Sequence, residues 1–175
     1  MDCSLVSDGG GAFIVTSAER ARDFRQKPIY ILGAGTHNPM SNQAEAKTLT
    51  TLGGKESSKI AYKMAGLKPK DMDFAEIYDC FTFEVVQQLE ETGFCARGEG
   101  GAFVEGGRIE SGGALPVNTH GGLLSEAHVL GASHIVEAVR QLRGEAGARQ
   151  LARAEIGVVT GWGDFGDGSI AVLRR

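Results

Sequence analysis

Residues Phe74 to Phe81 read Phe-Ala-Glu-Ile-Tyr-Asp-Cys-Phe and pass from an apolar run into a helical pattern. The run from Phe74 to Tyr78 is short and mostly apolar, which is typical of a buried strand. After it, three apolar residues recur at the spacing of one face of a helix that ends near Gly93: Phe81, Val85 and Leu89. A strand followed at once by a helix indicates a layered α/β domain.

Similar patterns occur on both sides of this stretch. Four further apolar runs read as strands, because they are short and bounded by glycine or charge: Ala12–Thr16, Ile29–Leu32, Ile156–Thr160 and Ile170–Leu173. Three further segments read as helices: Ser57–Leu67, Val129–Val139 and a short surface stretch, Ala146–Arg153. The sequence therefore predicts an α/β domain with about five strands and three or four helices.

The composition excludes several classes of protein. A chain of 175 residues, 42% hydrophobic and 23% charged, suits one globular domain. The net charge of −4 gives no reason to expect nucleic acid, and no apolar run approaches the length of a membrane span. The start Met1-Asp2-Cys3-Ser4 lacks the features of a signal peptide. Three cysteines, odd in number and without metal-ligand spacing, favour a reducing compartment, so we expect a cytoplasmic protein without a metal site.

Two clusters of polar residues lie where a strand or loop meets a helix. Tyr78-Asp79-Cys80 faces such a junction, although Asp79 as a helix cap and Cys80 as core are the simpler interpretation. Residues 116–122 read Pro-Val-Asn-Thr-His-Gly-Gly, and His128 follows just before the third helical pattern. A histidine beside a helix N-terminus is favoured as neutral imidazole, the form that can accept a proton. A cap or surface histidine is the alternative.

A third cluster, rich in glycine, separates the last two apolar runs. Residues 160–168 read Thr-Gly-Trp-Gly-Asp-Phe-Gly-Asp-Gly, and glycines in such a turn can point N–H groups at an anion or oxyanion. A plain strand connection is the competing interpretation. The spacing matches neither a P-loop nor a dinucleotide fingerprint.

Taken in order, these clusters resemble the C-terminal half of the thiolase superfamily, particularly its sterol-carrier-protein-type and lipid-transfer branch. Asp8 to Ser17 looks like the last strand of the family's N-terminal half, so residues 1–24 would end that half and residues 25–175 would form the C-terminal domain. The resemblance implies a layered thiolase-like domain whose mixed sheet is flanked by helices. It also implies a chain that begins inside a larger protein, with a short complete domain as the alternative.

Two residues fall on family positions that carry chemistry. Tyr78 stands where the branch has the histidine of His-Asp-Cys-Phe and many thiolases have the asparagine of Asn-Glu-Ala-Phe, which holds a water near the thioester oxygen. His128, six residues after Gly122, falls on the histidine of Gly-His-Pro-Leu-Gly-Ala, which helps to activate the nucleophilic cysteine. The resemblance thus implies Tyr78 and His128 as the catalytic acid/base pair. It implies Asn118, Gly121, Gly122 and Gly163 as substrate-binding residues.

The same comparison shows departures from the family pattern. Gly161-Trp162-Gly163 aligns with the family's Cys-X-Gly, so glycine replaces the second catalytic cysteine while Gly163 keeps an N–H. Ala127 and Val129 replace the usual glycine and proline beside the histidine. The nucleophilic cysteine of the family belongs to its N-terminal half. These departures argue against the usual two-cysteine route.

Three functions are compatible with these residues. The first is a thiolase-like acyltransferase or carbon–carbon bond enzyme acting on CoA thioesters, with this chain as the part that lacks the nucleophile. The second is a retro-aldolase acting on 3-hydroxyacyl-CoA, which needs no thiol. The third is a non-catalytic acyl-CoA or lipid-binding module. We expect acyl-CoA as substrate rather than a resident cofactor, and a homo-oligomer or hetero-complex by resemblance to the family.

Overall fold

Four strands form one mixed sheet in the computed structural model, which describes residues 2–39, 48, 50–163 and 166–175. The strands are β1 (Tyr30–His37), β2 (Phe74–Glu76), β3 (Ile156–Trp162) and β4 (Gly168–Arg174). Their order across the sheet is β1-β4-β3-β2, in which β4 is antiparallel to both neighbours and β3 is parallel to β2. The predicted layered α/β fold is confirmed, with four described strands instead of about five.

Six α-helices accompany the sheet in the described residues: α1 (Ala18–Ala21), α2 (Gly54–Ala65), α3 (Thr82–Glu91), α4 (Gly100–Val104), α5 (Gly122–Ser125) and α6 (Ala132–Arg143). The three longest, α2, α3 and α6, match the three main helical patterns of the sequence. The predicted surface helix over 146–153 is wrong, because only the 3-10 turn Gly147–Arg149 forms there. Gly147 has a positive φ of 61°, which an α-helix cannot continue through.

The sheet has an apolar core on each face. On one face, α2 and α3 place Ala61 and Leu89 against Val158 and Val172. On the other, Ala138 and Leu142 of α6 cover strand residues that include Phe74. Phe74 and Leu142 are fully buried, and each contributes about 1.5–3 kcal/mol by leaving water. The position of α6 fixes the loop that precedes it, which carries His128.

Strand β1 runs five residues beyond the predicted end at Leu32. The sequence pattern stops there because Gly33 and Gly35 interrupt it. These glycines let α2 lie directly on the strand, since a Cβ on Gly33 would collide with the carbonyl of Ala61 and one on Gly35 with that of Ser57. The glycines are therefore a packing feature of the strand and not its end.

The predicted strand over residues 12–16 is wrong. No described strand pairs with this segment, and Phe13, Ile14 and Val15 are 52%, 84% and 69% exposed. The segment lies along an open apolar groove of about 920 Å³, bordered by β1, β4 and α6. An apolar run becomes a strand only where a neighbour pairs with its backbone, and none of the described residues does so here. Within the described part of the chain, no helix is long and apolar enough to cross a membrane.

Candidate active site

Tyr78 and His128, separated by fifty residues in sequence, are in direct contact. The distance from Tyr78 Oη to His128 Nε2 is 2.9 Å, and the two rings meet edge to face at 5.9 Å between centroids. Tyr78 follows the end of β2 and is 8% exposed. A phenol and an imidazole at this distance can pass a proton between them, which is the geometry required of an acid/base pair.

His128 lies in a turn before α6 and not at its first residue. Leu130 and Gly131 have φ angles of 55° and 78°, so the chain turns sharply before the helix begins at Ala132. Three residues therefore separate His128 from the start of α6, and an effect of the helix dipole on its ring stays a prediction. Two hydroxyl groups contact the ring directly. Opposite Tyr78, the Oγ of Ser4 lies 2.9 Å from His128 Nδ1.

The backbone of Tyr78 is clamped by two buried polar residues. Its N–H donates to Thr160 Oγ1 at 3.1 Å, and its carbonyl accepts from Gln88 Nε2 at 2.7 Å. Thr160 in turn donates to Gln88 Oε1 at 2.6 Å, which closes the clamp. Gln88 lies on α3 and Thr160 on β3, so two elements of the core fix the position of the phenol. The ring of Tyr78 also stacks on His134, at 6.2 Å and 23°.

Asp79 joins the site loop to the sheet. Its carboxylate accepts from the N–H of Leu123 at 2.8 Å and lies 3.1 Å from Nε2 of the fully buried His134. Asp79 thus caps the start of α5, and not the helix that follows it in sequence. Gly122 permits this approach, because its φ is 67° and a Cβ there would overlap the Asp79 carboxylate. The Gly121-Gly122 pair therefore brings the loop that carries His128 close to the end of β2, which Tyr78 follows.

The predicted substrate-binding residues have different surroundings. Asn118, with a φ of 50°, pairs its side chain with the backbone of Ile77, accepting from its N–H at 2.6 Å and donating to its carbonyl at 2.8 Å. Gly163 donates its N–H to the carbonyl of Asp167 at 3.1 Å, within the turn between β3 and β4. Gly121, at φ 103°, begins the turn that carries Gly122. Substrate contacts by these residues stay a prediction, and the Gly163 N–H is occupied in this conformation.

A buried ion cluster underlies the site. Glu76 and Glu137, both at most 2% exposed, flank the hydroxyl of Thr119, which lies 2.9 Å from each. Arg149 donates to both Glu137 oxygens, at 3.2 and 2.8 Å. Burial would raise the pKa of Glu137, but hydrogen bonds from Arg149 and Thr119 outweigh it and lower that pKa. The cluster ties β2, the 119–120 loop and α6 together behind Tyr78.

His120 completes this cluster. Its Nδ1 lies 3.0 Å from Glu76 Oε2, its Nε2 lies 3.5 Å from Glu126 Oε2, and its ring meets His134 edge to face at 4.9 Å. Burial works to lower the pKa of His120, but the neighbouring Glu76 carboxylate outweighs this and raises the pKa. The two neighbouring carboxylates thus stabilise the imidazolium form of His120 relative to that of a free histidine.

Sequence reasoning missed Ser4, Gln88 and His134. Ser4 is 124 residues from His128, and no local pattern links the two. Gln88 and His134 face inward on amphipathic helices, where a polar side chain at an apolar position is the available signal. Cys80 donates from Sγ to Glu84 at 2.8 Å. The three cysteines are partly buried, and none of them forms a disulfide.

The fold and this constellation match a family model for "Thiolase C-terminal domain-like" proteins over residues 34–175. The chain therefore belongs to that family, which confirms the resemblance inferred from the sequence. Among curated relatives it is 38% identical to the acetyl-CoA acetyltransferase of Methanothermobacter thermautotrophicus, over 98% of this chain and 46% of the relative. It is 45% identical to the steroid side-chain-cleaving aldolase of Thermomonospora curvata, over 82% of this chain and 38% of the relative.

A solved structure has the same fold as this chain. The "Ltp2-ChsH2(DUF35) aldolase" superposes with a TM-score of 0.83 at 38% identity, covering 90% of this chain and 42% of that chain. The chain thus spans less than half the length of the curated relatives named above and of this neighbour. These relatives are enzymes of two kinds, acetyltransferases and aldolases or lyases.

Proposed function

We propose that this chain supplies the acid–base part of an active site that makes or breaks carbon–carbon bonds in CoA thioesters. The observation that carries the proposal is the 2.9 Å contact between Tyr78 Oη and His128 Nε2, in a site where glycine stands at position 161. This site presents a proton-transfer pair in place of a second thiol. The geometry favours retro-aldol cleavage of a 3-hydroxyacyl thioester over acyl transfer.

The reaction needs one base and one acid. The phenol of Tyr78 passes its proton to His128, and the resulting phenolate takes the proton of the substrate 3-hydroxyl. The C2–C3 bond then breaks, leaving a ketone or aldehyde and the enolate of a shortened acyl-CoA. The enolate carbon takes up a proton, from His128 directly or through water, which completes the balance. A thioester enolate also needs N–H donors near its oxygen. We propose Gly122 for this role, whereas Gly121 and Gly163 would first have to release their hydrogen bonds to the carbonyls of Asn118 and Asp167.

The curated relatives support each of the two candidate reactions, retro-aldol cleavage and acyl transfer. The steroid side-chain-cleaving aldolase, at 45% identity, favours the retro-aldol reaction. The acetyl-CoA acetyltransferase, at 38% identity over almost the whole chain, keeps acyl transfer as the second candidate. Acyl transfer requires a nucleophile outside the described site, supplied by the remainder of a longer protein. We also propose that the protein assembles as a homo-oligomer or in a hetero-complex with a different chain, and that it is cytoplasmic.

The test is to incubate the full-length protein separately with a 3-hydroxyacyl-CoA and with a 3-ketoacyl-CoA plus free CoA. We expect a carbonyl product and shortened acyl-CoA, in equal amounts, from the 3-hydroxyacyl-CoA. The His128→Asn variant should lose this activity and keep CoA binding, whereas His37→Asn on β1 serves as the matched control. Product from the 3-ketoacyl-CoA alone would make the protein an acyltransferase. Tight binding of both thioesters without product would make it a binding module.

A further inference from the structure

The side of His128 that faces away from Tyr78 is occupied by Ser4. The Oγ of Ser4 lies 2.9 Å from Nδ1, while Tyr78 Oη lies 2.9 Å from Nε2. The imidazole is therefore held between two hydroxyl groups, one on each nitrogen. We propose that Ser4 is the positioning residue of His128, which holds its ring in place and accepts from its Nδ1–H; the proposal rests on the acid–base function described above.

The backbone of Ser4 is held in place from both sides. Its N–H donates to the carbonyl of Cys80 at 2.9 Å, and the N–H of Thr82 donates to the carbonyl of Asp2 at 3.1 Å. Cys3 pairs with Phe81 in an antiparallel bridge, and Val6 pairs with His128 in a parallel one. The segment of residues 2–6 thus lies between the Tyr78 strand end and the His128 loop. Its serine side chain is aimed at the histidine by main-chain hydrogen bonds.

The chemistry of imidazole gives this contact its meaning. A neutral imidazole has one N–H and one free lone pair, so only one of its nitrogens can accept a proton. For His128 to take the proton of Tyr78 at Nε2, the N–H must be on Nδ1. A serine hydroxyl can donate or accept at this distance, and in this route Ser4 Oγ accepts from the Nδ1–H. After the transfer, the imidazolium keeps the same bond to Ser4 and donates from Nε2 to the phenolate.

Without the hydroxyl of Ser4, the Nδ1–H that this route requires loses its acceptor, which raises the free energy of that tautomer. In the Nε2–H tautomer, His128 donates to Tyr78 Oη and cannot take its proton. Because a net hydrogen bond contributes about 0.5–1.5 kcal/mol, we expect Ser4→Ala to lower kcat by about two- to tenfold and leave KM unchanged. Ser4→Thr keeps a hydroxyl on an extended backbone and should restore most of kcat.

Ser7 provides the control in the same segment. Its hydroxyl donates to the carbonyl of Leu5 at 3.1 Å, a local contact within the segment. Ser7→Ala should therefore leave both kcat and the state of His128 unchanged. A loss of activity in Ser4→Ala alone, with rescue by Ser4→Thr, separates positioning of His128 from a general weakening of the segment.

The deciding experiment is nitrogen NMR of the full-length protein labelled with ¹⁵N in its histidine rings, with His128 assigned from its absence in His128→Asn. We expect a protonated Nδ1 and an unprotonated Nε2 in the wild type and in Ser4→Thr, and a shift toward the Nε2–H form in Ser4→Ala. An Nε2–H tautomer in the wild type would overturn the proposal. A Ser4→Ala variant that keeps the wild-type Nδ1–H tautomer would also overturn it. This readout needs no turnover, so it is independent of whether the proposed reaction occurs. Acylation of Ser4 by a thioester substrate, seen as a mass shift of its peptide, would make it a nucleophile and also contradict the proposal.

Discussion

The carboxylate of Asp79 occupies the space that a side chain on Gly122 would fill, and its Oδ1 accepts from the N–H of Leu123 at 2.8 Å. This contact joins the end of strand β2 to the start of α5. It holds the end of β2, which Tyr78 follows, at a fixed distance from the loop that carries His128. The geometry of the candidate site therefore depends on a glycine at 122.

Replacing Gly122 by alanine should destabilise the protein far more than its unusual backbone angle alone requires. Gly66 is the matched control, because it has the same φ of 67° and open space around it. We expect Gly66→Ala to lower the free energy of unfolding by about 1–2 kcal/mol, the strain of a left-handed residue. Gly122→Ala should cost more than this, since Asp79 must also move. Equal midpoints of urea unfolding for the two variants would refute the packing role of Gly122.

The Arg149–Glu137 ion pair should matter more than an ion pair at the surface. The side chain of Glu137 is 2% exposed. Without Arg149, its carboxylate would lose the two hydrogen bonds that the guanidinium donates to it. We expect Arg149→Gln to lower the free energy of unfolding by about 2 kcal/mol, below the full cost of a buried pair because the guanidinium is partly exposed. Arg175→Gln removes the exposed contact to Glu155 and should change it by less than about 1 kcal/mol. Chemical unfolding measures both, and similar losses would contradict the burial argument.

The contribution of His120 to stability should depend on pH. The pKa of His120 is raised in the folded protein above its ordinary value of 6.5, by the carboxylates of Glu76 and Glu126 that outweigh its burial. Because the folded state binds the proton more tightly, this stabilisation is complete below pH 6.5 and is lost as the pH rises through the raised pKa. The neighbouring groups are Glu76, Glu126, Glu137 and the His134 ring.

The check is the difference in free energy of unfolding between the wild type and His120→Asn, measured by urea at several pH values. We expect the difference to be largest at about pH 6 and to shrink toward about pH 9. His37→Asn, on the opposite edge strand, is the control for the loss of a histidine elsewhere in the fold. A difference for His120→Asn that stays constant or grows with pH would show that the pair with Glu76 is not charged.

The sequence predicted the main elements of the fold because their signals are local. Apolar runs at Phe74 and Ile156 and helical spacing at Val85 each report burial of one face, and the structure places a strand or helix at each. The thiolase resemblance also located Tyr78 and His128, which the fold brings into contact. Ordered motifs can indicate such a pair where local periodicity cannot.

The remainder depends on contacts between distant residues. Residues 12–16 have the pattern of a strand but no described strand beside them. The start of α6 is delayed by the left-handed angles of Leu130 and Gly131, of which only the glycine is visible in the sequence. Ser4 reaches His128 through main-chain pairing of residues 2–6, which side-chain patterns do not encode. These are the features that the structure adds to the site.

Removal of the Tyr78 hydroxyl group tests most directly whether Tyr78 is the base of the proposed reaction. Tyr78→Phe keeps the ring that stacks on His134 and deletes the group that faces His128, so the fold should persist while the base is lost. Tyr62→Phe is the matched control, because Tyr62 is also 8% exposed and its hydroxyl has no hydrogen-bond partner among the described residues.

With the full-length protein and a 3-hydroxyacyl-CoA, the measurement is the single-turnover rate of carbonyl release in wild type, Tyr78→Phe and Tyr62→Phe. We expect Tyr78→Phe to slow release by about 100- to 10,000-fold, the usual contribution of a general base, while Tyr62→Phe matches the wild type. A Tyr78→Phe enzyme that releases the carbonyl product at the wild-type rate would contradict the role of Tyr78 as the base.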